Sequence, residues 1–364
     1  MRVPFSPRKI DIDITSRCNL RCSYCYFFSS DGDTGVDLPL ESWLQFFEEC
    51  TRAAVLEVCL AGGEPLIRRD FRQVIEGVVR NRMRFSVLSN GTLLDNETAA
   101  FLKSTRRCNS FQVSIDGPGP ESHDRCRGDG SFEKALRGLQ AALRHGLPAT
   151  VRLTIHRHNL DALDEAARLL LEEVGLHSFS TNVASYSGLC RQNSSEVELS
   201  VEEYSRAMVR LEALERKYPG RISAQAGPQA SLRMWRKMEK ALADGRESLP
   251  DCGFLRSCGG VFATMAVRSD GTMVPCTQLN HIALGEINRD PLMEIWQNHP
   301  ELQRLRERRD MPLERFDHCR GCRYLRTCRG GCPAMAYNVI GDENRPSPDA
   351  CYRDFLAAGG RLPA

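Results

Sequence analysis

Cys18, Cys22 and Cys25 are spaced C-x3-C-x2-C on the loop after a short alternating run, Lys9 to Thr15, that has the character of a strand. Three thiolates this close together can hold one metal centre. A structural zinc site calls for a fourth ligand nearby, but the next cysteines are Cys50 and Cys59, and no histidine occurs before His123. A 4Fe–4S cluster on three cysteines keeps one iron without a protein ligand, and an open iron is a place for a small molecule to bind. Cysteines become dense again from Cys252. The order is Cys252-x5-Cys258, then x12 to Gly271 and x4 to Cys276, then Cys319-x2-Cys322-x5-Cys328-x3-Cys332, and finally Cys351. These eight make two sets of four, enough to saturate two further clusters. The chain has 16 cysteines in 364 residues and no N-terminal apolar segment of signal-peptide type, so metal or Fe–S ligation is a better reading than disulfides.

The first motif, with Tyr24 directly before its third cysteine, resembles the signature of radical S-adenosylmethionine (SAM) enzymes. The resemblance implies that SAM chelates the open iron. It also implies that one electron splits SAM into methionine and a 5′-deoxyadenosyl radical, which takes a hydrogen atom from the substrate. Ala61-Gly62-Gly63-Glu64-Pro65 looks like the family's segment around the amino end of SAM. Ser89-Asn90-Gly91-Thr92 and Ser114-Ile115-Asp116-Gly117-Pro118 resemble the segments lining its ribose and carboxylate. His123-Asp124-Arg125-Cys126-Arg127 resembles the stretch whose last arginine pairs with that carboxylate. A guanidinium fork suits the task, which points to Arg127, with Arg125 as its rival because the stretch is one residue longer than the pattern. Tyr24 is expected beside the adenine. The C-terminal cysteines match the SPASM extension of the family. By its interleaved pattern, Cys252, Cys258, Cys276 and Cys332 form one ligand set, and Cys319, Cys322, Cys328 and Cys351 the other. Two zinc ribbons are the competing reading of the C-x2-C spacing. The cofactors implied are SAM and three 4Fe–4S clusters, with an external electron donor.

These segments need elements to carry them. Strands are expected at 9–15, 55–60, 85–89, 110–116, 149–155 and 178–183, and helices near 39–52, 70–81, 95–103, 131–145 and 159–174. In the fourth helix Phe132, Ala135, Leu136, Leu139, Ala142 and Leu143 share one face. Strand–helix alternation implies an α/β fold with a parallel sheet and right-handed crossovers. Six units make a partial (β/α)6 TIM barrel, with its site at the C-terminal strand ends. Residues 1–200 are assigned to that barrel. Residues 201–250 form a helical linker with helices at 200–218 and 229–243, and 251–364 form the cysteine-rich SPASM domain with its auxiliary clusters. Residues 184–200 read as a linker or substrate-lining loop. His156, His158 and Asn159 follow the fifth strand, where they are within reach of cofactor or substrate, although lone loop histidines are ordinarily solvated. Cys50 and Cys59 read as core filling. Cys126 and Cys190 lie near site loops without an assigned role.

A net charge of +2 carries no strong field toward nucleic acid or membrane, and no run approaches a membrane span, so a cytoplasmic protein is expected. Relatives of this kind mostly modify peptides or proteins, so the expectation is a maturase that crosslinks or otherwise oxidises a ribosomally made peptide. Only 17 residues precede Cys18, which suggests that a separate small protein presents any leader. Three alternatives stand. One is a small-molecule substrate such as a tetrapyrrole. Another is formylglycine formation, disfavoured because Thr277 follows Cys276 where sulfatase maturases carry an aspartate. The third is a metal-bound binding module without radical chemistry. No catalytic base is assigned.

Overall fold

The computed structural model describes residues 3–30, 35–256 and 260–363, so Cys258 lies outside the described residues. The six expected barrel strands form: β1 (Lys9–Thr15), β2 (Glu57–Gly62), β3 (Arg84–Ser89), β4 (Cys108–Ser114), β5 (Ala149–Ile155) and β6 (Phe179–Val183). They pair in parallel in chain order. The helices between them cover the outer face: α1 (Leu40–Arg52), α2 (Phe71–Arg80), α3 (Asn96–Ser104), the short α4 (Pro120–Arg127) and α5 (Ser131–Arg144). In α5 the expected face is the inner one, with Phe132, Ala135, Leu139 and Ala142 buried against the sheet. Ile10, Ile12 and Ile14 of β1, Val58 and Leu60 of β2, and Val151, Leu153 and Ile155 of β5 are all fully buried or nearly so in the same core.

Of the boundaries that differ from expectation, two matter to the site. β2 starts at Glu57 rather than 55, because Ala54 takes a left-handed turn, and it runs on to Gly62. β4 ends at Ser114, which leaves Asp116 beyond the strand. The sheet also exceeds six strands. β7 (Ile222–Ala224), from the segment expected as a helical linker, adds in parallel to β6. From the cysteine-rich segment, β8 (Thr264–Val267) adds in parallel to β1, and β9 (Thr272–Val274) and β10 (Gly285–Glu286) extend the sheet antiparallel. The strand order is β10-β9-β8-β1-β2-β3-β4-β5-β6-β7. One sheet thus crosses the boundaries expected at 200 and 250. Gly271, at a φ of 89°, makes the β8–β9 turn, and Cys276 follows β9 by two residues. Docking of β8 on β1 is therefore what brings Cys276 to the barrel.

On the inner face of β1, Asp13 is almost fully buried and its Oδ1 has no hydrogen-bond partner. Burial, and then the nearby Asp11, push its carboxyl up to about 7 against the pull of Arg268. A carboxyl raised in the folded state stabilises the fold less as pH rises from its unfolded value of 3.8 to about 7. Asp13→Asn should therefore raise stability by about 1–4 kcal/mol at pH 8 and leave it nearly unchanged at pH 4. Chemical denaturation at the two pH values checks this.

Candidate active site

The cysteine loop is built against β1 and β2 by two glycines. A Cβ on Gly62 would lie 2.3 Å from the Thr15 carbonyl oxygen. A Cβ on Gly63 would lie 2.1 Å from the Arg17 carbonyl oxygen and 3.1 Å from Cys18 Cβ. Only glycine lets these two backbones meet, and Gly62 also needs its φ of 122°. The start of the loop is clamped by Asp37, which accepts from Thr15 Oγ1, the Ser16 amide and Arg17 Nε at 2.7–3.0 Å. Its far end rests on the 184–200 segment. The Leu189 amide donates to the Cys25 carbonyl, and Asn193 Nδ2 to the Ser23 carbonyl. That segment is two short helical turns, and Ala184 and Ser185 at its start line the cavity.

Cys18, Cys22 and Cys25 line one cavity of about 280 Å³ at the C-terminal ends of the strands. Tyr24, Gly62, Gly63, Ser89, Asn90, Ser114 and Arg127 line it too. The three thiols meet the needs of a cluster site: they share one open space, and the Leu20 amide donates to Cys18 Sγ at 3.4 Å. Burial pushes Cys18 up to about 11 and Cys22 up to about 12, so these thiols stay protonated until a metal takes them.

Three residues expected at SAM, Glu64, Pro65 and Asp116, are not part of the cavity lining. Pro65 is buried outside the lining. Glu64 is fully buried, and its carboxylate accepts from Ser89 Oγ, the Asn90 amide and the Leu66 amide at 2.7–3.1 Å. It ties the Gly62–Gly63 turn to the Ser89–Asn90 turn. Asp116 is also fully buried, and it accepts from the Thr154 amide, Arg127 and the Tyr24 hydroxyl. Burial pushes its carboxyl up, but the Arg127 guanidinium 2.5 Å away outweighs that and holds it at about 2. Arg127 reaches Cys22 Sγ at 3.9 Å, whereas its rival Arg125 is exposed. Asp124 sets this register by accepting from the Gly130 and Phe132 amides and Ser131 Oγ at the start of α5.

His156 is not solvated. It is fully buried and stacked on Tyr24, with ring centroids 5.3 Å apart, and its Nδ1 lies 3.7 Å from Cys126 Sγ. Burial lowers its pKa to about 4 against the opposing pull of Asp116. Asn159 is buried and bonds the Asp116 and Thr154 carbonyls. Cys126 and Cys190 fill a small apolar cluster with Tyr24, Ala184 and Val197. Sequence reasoning missed Gln112, Arg152, Thr154 and Asn182, which line the cavity from β4, β5 and β6, and Gln278 just after Cys276. The first four were signalled by polar residues at alternate positions in apolar strands. Arg152 has a buried, unbonded Nε, and no carboxylate among the described residues pairs with it.

In the cysteine-rich segment, Cys319 lies in the field of Cys322 and Cys351, and Cys328 in that of Cys319, Cys322 and Cys252. Cys351 Sγ is also 3.8 Å from His318 Nε2, a neighbour not anticipated from sequence. Cys276 accepts from the amide of Gln278 at 3.5 Å, which places it beside the cavity.

Family models agree with this geometry. Residues 12–170 match the radical SAM superfamily, and residues 258–323 match the SPASM iron–sulfur cluster-binding domain. The chain is a radical SAM enzyme with a SPASM domain. Such enzymes require a 4Fe–4S cluster and SAM, and the SPASM domain binds auxiliary clusters. The chain is 29% identical over 353 residues to an AdoMet-dependent heme synthase of Methanosarcina barkeri, covering 96% of this chain and 97% of the relative. It is 26% identical over 353 residues to a PqqA peptide cyclase of Granulibacter bethesdensis, covering 95% and 87%. Its fold matches Streptococcus suis SuiB bound to the precursor peptide SuiA, with a TM-score of 0.72 at 14% identity over 96% of this chain and 76% of the other. Among the described residues, no helix is long and apolar enough to cross a membrane.

Arg127→Gln should strip the buried Asp116 of its cation and cost the radical SAM fold about 3–5 kcal/mol. Arg125→Gln should stay within about 0.5 kcal/mol of wild type. Urea unfolding of the two variants side by side separates the arginines.

Proposed function

We propose that this radical SAM/SPASM enzyme abstracts hydrogen from a ribosomally made peptide and crosslinks or otherwise oxidises it, using SAM and three 4Fe–4S clusters. Cys18, Cys22 and Cys25 hold the SAM-binding cluster. The eight C-terminal cysteines hold the two auxiliary ones in the sets expected from sequence. When bound, SAM and the clusters supply hydrogen-atom abstraction and one-electron transfer. The chain's own residues shape the cavity for this. Gly62 and Gly63 open their backbone to the amino end of SAM, Asn90 and Ser114 flank its ribose and carboxylate, and Arg127 faces that carboxylate. Glu64, Pro65 and Asp116 act from behind by fixing those groups. An electron donor and a reducing compartment, the cytoplasm, complete the requirements.

The cavity volume carries the peptide reading. Small-molecule sites run to roughly 300–1,000 Å³, so about 280 Å³ has room for one drug-sized ligand. SAM takes that room, which favours a substrate that enters by one side chain while its body stays outside, as a peptide does. The Granulibacter bethesdensis relative, a peptide cyclase, supports this. Thr277, after Cys276, continues to count against formylglycine formation. Tetrapyrrole oxidation is the second reading, favoured by the Methanosarcina barkeri relative and its nearly full-length match. Either substrate must satisfy Arg152. Its unanswered guanidinium suits a carboxylate, which in the peptide is an acidic side chain or the C-terminus.

Anaerobic co-expression with the short peptide encoded nearest the gene, read by intact mass, tests the assignment. The expected result is a loss of two hydrogens, absent in a Cys22→Ala control. An unmodified peptide together with turnover of a carboxylate-bearing iron tetrapyrrole in vitro would transfer the assignment to the tetrapyrrole.

A second measurement addresses Arg152. Arg152→Gln should raise KM for the substrate at least tenfold more than KM for SAM. Equal increases would put the arginine on SAM.

A further inference from the structure

Arg308 ends the run of the helix Pro300–Glu307 and opens a single turn, Arg308–Asp310. Its side chain is fully buried, and Nε, Nη1 and Nη2 are all without a hydrogen-bond partner. Arginine does not shed its proton to escape such a place. Burial pulls its pKa down only to about 10, which leaves it charged at neutral pH. A buried charge must meet a counter-charge. Three anion-forming groups act on it: Cys332, Glu343 and Asp342. The carboxylates are engaged elsewhere, Glu343 by Arg304 and Asp342 by Arg345 at 3.5 Å. Cys332 is a member of the first expected auxiliary ligand set.

The backbone builds this meeting. The Leu255 amide donates to the Met311 carbonyl, the Met311 amide to the Arg308 carbonyl, and the Arg256 amide to the Arg329 carbonyl. The segment after Cys252 therefore runs between the Arg308 turn and the approach to Cys332. Gly330, at a φ of 75°, closes on Leu255 and Leu313 so tightly that a Cβ would lie 2.6 Å from Leu255 Cδ2.

We propose that Arg308 is the buried counter-ion of the auxiliary cluster held by Cys252, Cys258, Cys276 and Cys332, and that its charge raises the reduction potential of that cluster. This rests on the assignment of those four cysteines to one ligand set. A 4Fe–4S core on four thiolates is an anion in both oxidation states and gains one negative charge on reduction, so a fixed buried cation favours the reduced form. Cys276 of the same set sits beside the cavity through Gln278. The cluster so tuned is the one next to the substrate. Arg308 touches neither substrate nor SAM and is a positioning residue.

The test uses full-length enzyme reconstituted anaerobically as wild type, Arg308→Met and Arg308→Lys. Iron and sulfide are counted, and EPR follows a redox titration. At the wild-type midpoint of the affected cluster, Arg308→Met should lower the reduced-to-oxidised ratio at least tenfold, a downward shift of 59 mV or more for one electron. Arg308→Lys should recover most of it. Thermal unfolding supplies an independent sign. Relative to wild type, Arg308→Met should melt higher without metal, where the charge is unanswered, and lower once reconstituted. If Arg308→Met assembles no auxiliary cluster while Arg308→Lys does, the counter-ion role is supported. An unchanged midpoint at full iron content would overturn it, as would a Lys variant that fails wherever Met fails. Wild-type enzyme that binds iron only at Cys18, Cys22 and Cys25 would overturn the ligand set itself, and the iron count reports that separately.

Discussion

The buried pair of Asp116 and Arg127 is the interaction on which the mouth of the barrel depends. Asp116 lies two residues past the end of β4, and Arg127 closes α4. Between them they also hold Tyr24 of the cysteine loop and the Thr154 amide of β5. Taking a carboxylate and a guanidinium out of water is costly, and their attraction repays it only when the remaining donors and acceptors are also used. Here they are. The Asp116 amide donates to His123 Nδ1, and its carbonyl accepts from Asn159. Two strands, one helix and the cluster loop therefore share a single electrostatic centre, and none can shift without uncovering it. Tyr24 is held by its hydroxyl on one side and by the His156 ring on the other, so the cysteine on each side of it inherits a fixed backbone.

The opposite wall is held by shape rather than charge. Gly62 and Gly63 allow the end of β2 to touch the chain at Thr15 to Cys18, where any larger residue would separate them. Glu64 then locks this turn to the next one through Ser89 and Asn90. The cavity is the space left between these two rigid walls. Its size is set by backbone approach on one side and by an ion pair on the other.

Much of this was legible from residue types and spacing. The cysteine spacings, the alternation of β1 and the face of α5 each follow from a local period. What was not legible depends on pairing between distant segments. β7 has three residues and β8 four, too few for any period to show, and β8 becomes a strand because β1 offers it an open edge. Glu64 and Asp116 were read as ligand contacts because their motifs surround the cofactor. Whether a side chain in such a motif lines the cavity depends on where the strand ends, and β4 ends two residues before the expected end at 116. His156 was read as a solvated loop residue because burial by Tyr24 requires the cysteine loop to fold over it.

Three arginines show how little a net charge of +2 says about the interior. Arg127 and Arg308 are buried and Arg152 is half-buried in the cavity wall, and among the described residues only Arg127 of the three is in an ion pair with a carboxylate. A fold can tolerate an unanswered buried cation only if an anion arrives with function, since otherwise a neutral side chain of similar volume would be more stable. The pairing is therefore informative in its asymmetry. Where the charge serves architecture, the chain provides both partners. Where it faces the cavity or the cysteines of the SPASM domain, no carboxylate among the described residues bonds it directly, and that is the ground for proposing a substrate carboxylate at Arg152 and an iron–sulfur centre at Arg308.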